Sequence, residues 1–320
     1  MASFRILAVD DDPIFLLLLE HVLRRIGYTD LRCVSSGDEA LKIIRSGEQV
    51  FDCFLLDIEM PGMDGIELCR RIRAVPSHRR TPIVMITAMN SQHFIEAAFA
   101  SGATDYITKP IDDIELKARI GMVARLVDER RRGNALEDQL HAQSGLPLAQ
   151  ISFDDPIPVA DVGGVVEYLG LENYVLTLGR LKLFGHAAIA FKIVNASEIF
   201  LAADAVSYLD TLANVASVIV GTLKTQQFMM AYAGRGEFVC MTARASVVDP
   251  DDLKLEIAVR LGEYRKLYEE LGVPLPVVRV GEPQAPGFFT RVTPLALLDR
   301  ARASVRDVVA RRELMTALEH

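Results

Sequence analysis

At 320 residues the chain is long enough for two domains of ordinary size, and 50% apolar residues, 24% charged residues and a mean hydropathy of +0.22 give each the means to bury a core. The net charge of −8 leaves no general basic face for nucleic acid. The opening MASFRILAVDDD turns acidic too early for a signal peptide, and Glu20, Asp210 and Asn214 interrupt the runs closest to the ~18 apolar residues of a membrane span. A cytoplasmic protein is expected. Cys33, Cys53, Cys69 and Cys240 lack C-x-x-C spacing and the histidines are scattered, so reduced packing thiols and no zinc site are expected. Arg130, Arg131 and Arg132 read as a solvated helix end.

The first half alternates apolar strands with amphipathic helices. The patterns predict strands over 5–10, 31–35, 51–58, 81–88 and 105–109, and helices over 13–27, 37–47, 64–74, 92–101 and 112–125. Asp12-Pro13 is a helix start by itself. A (βα)₅ order dictates an α/β domain with a parallel sheet covered on both faces.

In such sheets functional groups collect just past the carboxyl ends of strands, where the strand order reverses. Asp10 and Asp11 close the first strand, Asp57 the third, Thr87 the fourth and Lys109 the fifth. With the flavodoxin-like order 2-1-3-4-5, Asp10, Asp11 and Asp57 share one pocket. Three carboxylates crowd there only with a cation, and a few accessible oxygen ligands suit Mg²⁺. With that charge neutralised, Asp57 can attack a phosphoryl group, while Lys109 and Thr87 bind its oxygens.

The ordered motifs VDDDP, LLDIEMPGMDG, MITA and TKP make residues 1–125 resemble the receiver domains of two-component response regulators. The resemblance implies Asp57 as phosphoacceptor, with a histidine kinase or phosphotransfer protein as donor. It implies Asp10, Asp11, Asp57 and the backbone carbonyl of Glu59 as metal ligands. Thr87 becomes the switch hydroxyl, Tyr106 the aromatic ring that turns inward when Thr87 engages phosphate, and Lys109-Pro110 a cis bond.

The fifth helix carries Leu116, Ile120, Val123 and Val127 at alternating spacings of four and three, a short coiled-coil-like seam that should stop near Arg130 and Gly133. A further helix over 134–143 and a Gly/Pro loop complete a linker over 126–161. A two-fold homodimer is expected through the fourth helix, fifth strand and fifth helix, with Asp105, Asp113, Glu115, Lys117 and Arg119 available for pairs between subunits.

Over 162–320 the pattern becomes α+β with a mostly antiparallel sheet: helix 162–184, strand 187–194, helix 198–223, a hairpin over 228–243, helix 251–271, strand 276–281 and a last helix over 294–311. Leu169-Gly170-Leu171-Glu172-Asn173 and Gly234-Arg235-Gly236-Glu237-Phe238, in this order, make the region resemble the GGDEF, or diguanylate cyclase, family. The departures are chemical. Aligned this way, Lys192 and Gly236 stand at the two metal-binding acid positions, Phe200 at the guanine-reading Asn, and Val309 at a late phosphate-binding lysine. A charged lysine has no lone pair for a metal, and glycine has no side chain. Glu237 alone cannot carry two-metal phosphoryl transfer. The residues favour a regulator, not an enzyme, whose degenerate output domain binds an unknown protein. The alternatives are a weak or partner-dependent cyclase and a GTP-binding sensor.

Overall fold

The protein is described by a computed structural model over residues 4–88, 92–144, 151–159, 162–223, 225, 227–287 and 293–318, with side chains at all of these except 133–144, 180–181 and 309–318. The chain divides into two compact bodies, 1–147 and 148–320.

The first body has strands β1 (Ile6–Val9), β2 (Leu31–Val34), β3 (Cys53–Asp57), β4 (Ile83–Thr87) and β5 (Asp105–Thr108), all parallel, in the order β2-β1-β3-β4-β5. This is the flavodoxin-like α/β sheet expected of the sequence. Side chains alternate between two cores. Leu7, Val9, Phe54, Leu56 and Met85 meet helices α2 (Gly37–Ser46), α3 (Gly65–Arg73) and α4 (Gln92–Ala100). Ile6, Ala8, Leu55, Val84 and Ile107 meet α1 (Pro13–Arg25) and α5 (Asp113–Ser144).

Helix α5 departs from expectation twice. It is one helix of 32 residues, unbroken at Gly133, because a lone glycine costs a helix only about 1 kcal/mol. Its seam is also consumed within the first body: Leu116, Ile120, Val123 and Val127 are all buried. Nor is the arginine run merely solvated. Arg130 Nη1 donates to the Arg80 carbonyl at 2.7 Å, and Arg131 Nη2 donates to Asp52 Oδ1 at 2.5 Å.

The second body is built on an antiparallel sheet, β7 (Phe228–Tyr232), β8 (Glu237–Ala243), β6 (His186–Ile193) and β9 (Val278–Val280), in that spatial order. The connections are of the β-α-β-β-α-β type. The expected helices are subdivided into α6 (Tyr168–Thr177), α7 (Gly179–Leu183), α8 (Ala196–Ala202), α9 (Ala205–Thr222), α10 (Pro250–Gly262) and α11 (Arg265–Leu271), and the one expected over 162–184 starts only at Tyr168 because Val165 instead bridges to Met230. The break between α8 and α9 has a local cause: Ala203 is extended and Asp204 caps the new helix, accepting from Ser207 N at 2.7 Å. Helix α9 is long and apolar enough to cross a membrane; here Tyr208, Leu212, Val215, Ala216 and Ile219 bury it against the sheet. Helix α12 (Pro294–Leu318) closes the chain.

Candidate functional site

The carboxyl ends of β1 and β3 lie side by side, so carboxylate oxygens of Asp10, Asp11 and Asp57 fall within 4.8 Å of one another. Local chemistry fixes each. Asp10 Oδ1 accepts from Asp12 N at 3.0 Å, turning the chain out of β1, and Asp12 Oδ1 accepts from Ile14 N at 2.8 Å to start α1 behind Pro13. Behind Asp57, Gly65 opens α3 so tightly that a Cβ on it would stand 2.0 Å from the Asp57 carbonyl oxygen. Only glycine allows that approach.

Asp10 and Asp57 are buried and Asp11 is exposed. Among the described residues the one cation in direct contact is Lys109, held after β5 by its N–H on the Thr87 carbonyl at 2.8 Å and followed by the expected cis bond to Pro110. Its Nζ lies 2.7 Å from Asp10 Oδ2 and 3.0 Å from Asp57 Oδ1. Burial works against the Lys109 ammonium, but its contacts with Asp10 and Asp57 outweigh that and hold it above the ordinary lysine range. Burial pushes the Asp57 carboxyl up to about 6; Lys109 pulls it down, while Asp10 and Asp11 push it further up. Asp10 Oδ2 is buried, and Lys109 Nζ is its close contact among the described residues. An all-oxygen, partly open donor set of three carboxylates facing one ammonium carries excess negative charge and fits a hard divalent cation.

Thr87 ends β4 fully buried, one residue beyond the partner of Asp57 in the sheet. Glu59 is exposed beyond β3. Tyr106 is half-buried, edge-on to Phe99 at 6.1 Å. Beside it Arg119 Nη1 stands 2.7 Å from both oxygens of the buried Asp105, and Arg119 also pairs with Glu115. Asp113 pairs with Arg25. Four of the five charges expected to pair between subunits are thus paired within one chain, and Lys117 is exposed. One contact was not legible beforehand: the Phe15 ring lies 4.1 Å from Lys109 Nζ. Its position in an apolar helix reads equally well as core.

In the second body, Lys192 on β6 faces Glu237 on β8. Glu237 is 1% exposed and accepts from Arg302 Nε at 2.9 Å and from Arg306 Nε and Nη2 at 2.7 Å, with Lys192 Nζ at 3.6 Å. Burial alone would raise this carboxyl; the arginines outweigh it and hold it below the usual range. Lys192 is lowered by burial, helped by Arg306 and Arg235 and opposed by Glu237, and its Nζ also donates to the Arg235 carbonyl. Gly234, Arg235 and Gly236 form the hairpin turn with φ of 84°, 55° and 73°. Phe238 is core, and Phe200 packs between Phe153 and Tyr208. Arg302 and Arg306 were missed, although their spacing of four on the last helix was readable as one face. The Val309 side chain lies outside the described residues.

Residues 6–121 match the response regulator receiver domain family. The cyclic di-GMP phosphodiesterase response regulator RpfG of Xanthomonas campestris pv. campestris is 37% identical over 146 residues, 44% of this chain and 38% of its own. The response regulator PleD of Caulobacter vibrioides is 38% identical over 136 residues, 42% of this chain and 29% of its own. The chain therefore spans well under half the length of both relatives. Among solved structures, the chemotaxis protein CheY4 of Vibrio cholerae aligns at 30% identity over 38% of this chain and 99% of its own, with a TM-score of 0.36.

Proposed function

Because residues 6–121 are a response regulator receiver domain of a two-component system, we propose that the chain is switched by phosphorylation of Asp57 and acts through a second domain without cyclase activity. The observation that carries the first half is the convergence of Asp10, Asp11, Asp57 and Lys109 at adjoining strand ends. Mg²⁺ would be held by Asp10, Asp11, Asp57 and the Glu59 carbonyl, and when bound it supplies charge neutralisation at the phosphoryl oxygens. An Asp57 carboxylate oxygen attacks phosphorus as the bond from phosphorus to its donor, a phosphohistidine of a kinase or phosphotransfer protein, breaks. The Lys109 ammonium takes charge on the transferring oxygens, for which its present contacts with Asp57 and Asp10 pre-place it. Thr87 then binds the phosphoryl group, and Tyr106 follows it inward.

The second half rests on Glu237. Both its oxygens are occupied by guanidinium groups from α12, so the remaining acid of the cyclase-like position serves as an internal counterion. With Lys192 and Gly236 at the other acid positions, no metal pair can assemble. The output is therefore binding of a protein partner. The chain is taken as cytoplasmic and as a phosphorylation-strengthened homodimer through α4, β5 and α5. With the α5 seam buried and Asp105, Glu115 and Arg119 paired internally, that dimer would rest on other contacts of the same face.

Acetyl phosphate with Mg²⁺ should phosphorylate the wild type and leave Asp57→Ala unmodified; equal labelling of both would reject the assignment. Labelled GTP with Mg²⁺ should yield no cyclic di-GMP and show no retained nucleotide in either phosphorylation state. Turnover abolished by Glu237→Ala would establish a cyclase, and retained GTP a sensor.

A further inference from the structure

Arg235 is, among the described residues, the one non-glycine with positive φ, flanked by two glycines in the same region. An L side chain is disfavoured there, so its surroundings must hold it, and the segment 151–157 does so. Arg235 N donates to the Phe153 carbonyl at 2.7 Å, and its Nε to Asp154 Oδ1 at 2.7 Å. Gly234 backs onto the same segment: a Cβ there would stand 2.1 Å from the Asp154 carbonyl oxygen. The Phe153 ring meets Phe200 at 5.4 Å, Phe200 meets Tyr208 at 5.0 Å, and Ile157 is anchored in the core. Tyr208 Oη in turn touches Tyr232 Oη, which accepts from Gly236 N at 2.8 Å. Turn, aromatic floor and segment thus fit as one unit.

The fit is selective but lightly fastened. The Asp154 and Arg235 side chains are 62% and 58% exposed, and pairs of that kind contribute little. Phe153 is only half-buried, and the described backbone bonding to the turn is one hydrogen bond with no strand ladder. A strained turn held by a low-stability contact is a combination suited to exchange between docked and released states. The segment belongs to the connector that follows α5, the helix closing the receiver.

We propose that the Gly234-Arg235-Gly236 turn and Phe200 form a recognition surface for an extended segment bearing an aromatic residue followed by an acid, that residues 151–155 occupy it in cis, and that receiver phosphorylation releases them while Ile157 stays in the core. The release rests on the phosphorylation reading above; the surface does not. Once vacated, the surface fits a protein partner carrying the same aromatic-acid pattern, excluded while the chain's own segment is docked.

Amide hydrogen exchange on the full chain tests both parts. In the wild type, beryllofluoride with Mg²⁺ should speed exchange of the Arg235 amide at least tenfold, and Asp57→Asn should abolish that response. The double variant Phe153→Ala, Asp154→Ala should exchange fast at Arg235 without beryllofluoride, while amides of α9 keep wild-type protection. If receiver amides near Thr87 and Lys109 respond to beryllofluoride but Arg235 does not, the release is wrong. If the receiver amides do not respond, phosphorylation control fails and the release with it. If the double variant leaves Arg235 as protected as before, the recognition surface itself is wrong.

Discussion

Asp57 carries a cost that its partners only partly offset. Its carboxyl is raised from 3.8 to about 6, so the native state holds this proton more tightly than the unfolded chain. The associated stabilisation is complete below pH 3.8 and is lost as pH rises through about 6. At neutral pH without divalent cations, Asp57→Asn should therefore unfold at higher urea than wild type, by at most about 3 kcal/mol. The difference should shrink towards pH 4 and on adding Mg²⁺, which stabilises only the wild type. Urea titrations at pH 4, 5.5 and 7.5, with EDTA and with Mg²⁺, read this directly. Glu237 behaves oppositely. Its carboxyl is held low, so its stabilisation is present above the unfolded value of 4.5 and is lost as pH falls through the native one. Glu237→Gln leaves Arg302 and Lys192, each 20% exposed, without their anion and should cost about 2–3 kcal/mol at pH 7, discounted because Arg306 is half exposed. A loss below about 0.5 kcal/mol in urea melts would refute the counterion role.

Elements position these residues, and α3 does so most strictly. Gly65→Ala would drive a methyl into the Asp57 carbonyl. The expected outcome is a loss of about 1–3 kcal/mol, together with slower labelling by acetyl phosphate; unchanged labelling at reduced stability would mean that β3 holds Asp57 without help from α3. Element order and site were legible for the same reason: strand ends carry the chemistry, and a short apolar run bounded by turn residues marks strand ends. Asp10, Asp57, Thr87 and Lys109 fell where the pattern put them. What escaped was non-local. Nothing near Gly133 announces that α5 continues, since a single glycine is a weak breaker, and nothing near Leu116 says whether a seam faces its own sheet or another chain. Phe15, Arg302 and Phe153 matter through contacts with residues 94, 65 and 47 positions away in sequence, which periodicity does not encode.

The molecule has two bodies, each with its own core, so each is expected to unfold as its own cooperative unit. Calorimetry should resolve two transitions, of which beryllofluoride with Mg²⁺ raises one, since a ligand stabilises only the unit that binds it. A single transition moved as a whole would overturn the division.

The strand that ends in Asp57 begins one residue after Asp52, the acid that Arg131 grips. Asp52 is 9% exposed and also accepts from Arg5 N at 2.9 Å, so it cannot simply turn to solvent when the arginine is removed. Where to cut the chain is therefore settled by this ion pair and not by the end of the family match. A receiver fragment ending near residue 125 keeps every group of the acidic pocket yet strands a half-satisfied carboxylate at the foot of the strand that carries Asp57. One carried past Arg131 keeps both, and only the longer fragment is a fair stand-in for the receiver when it is spliced to another output.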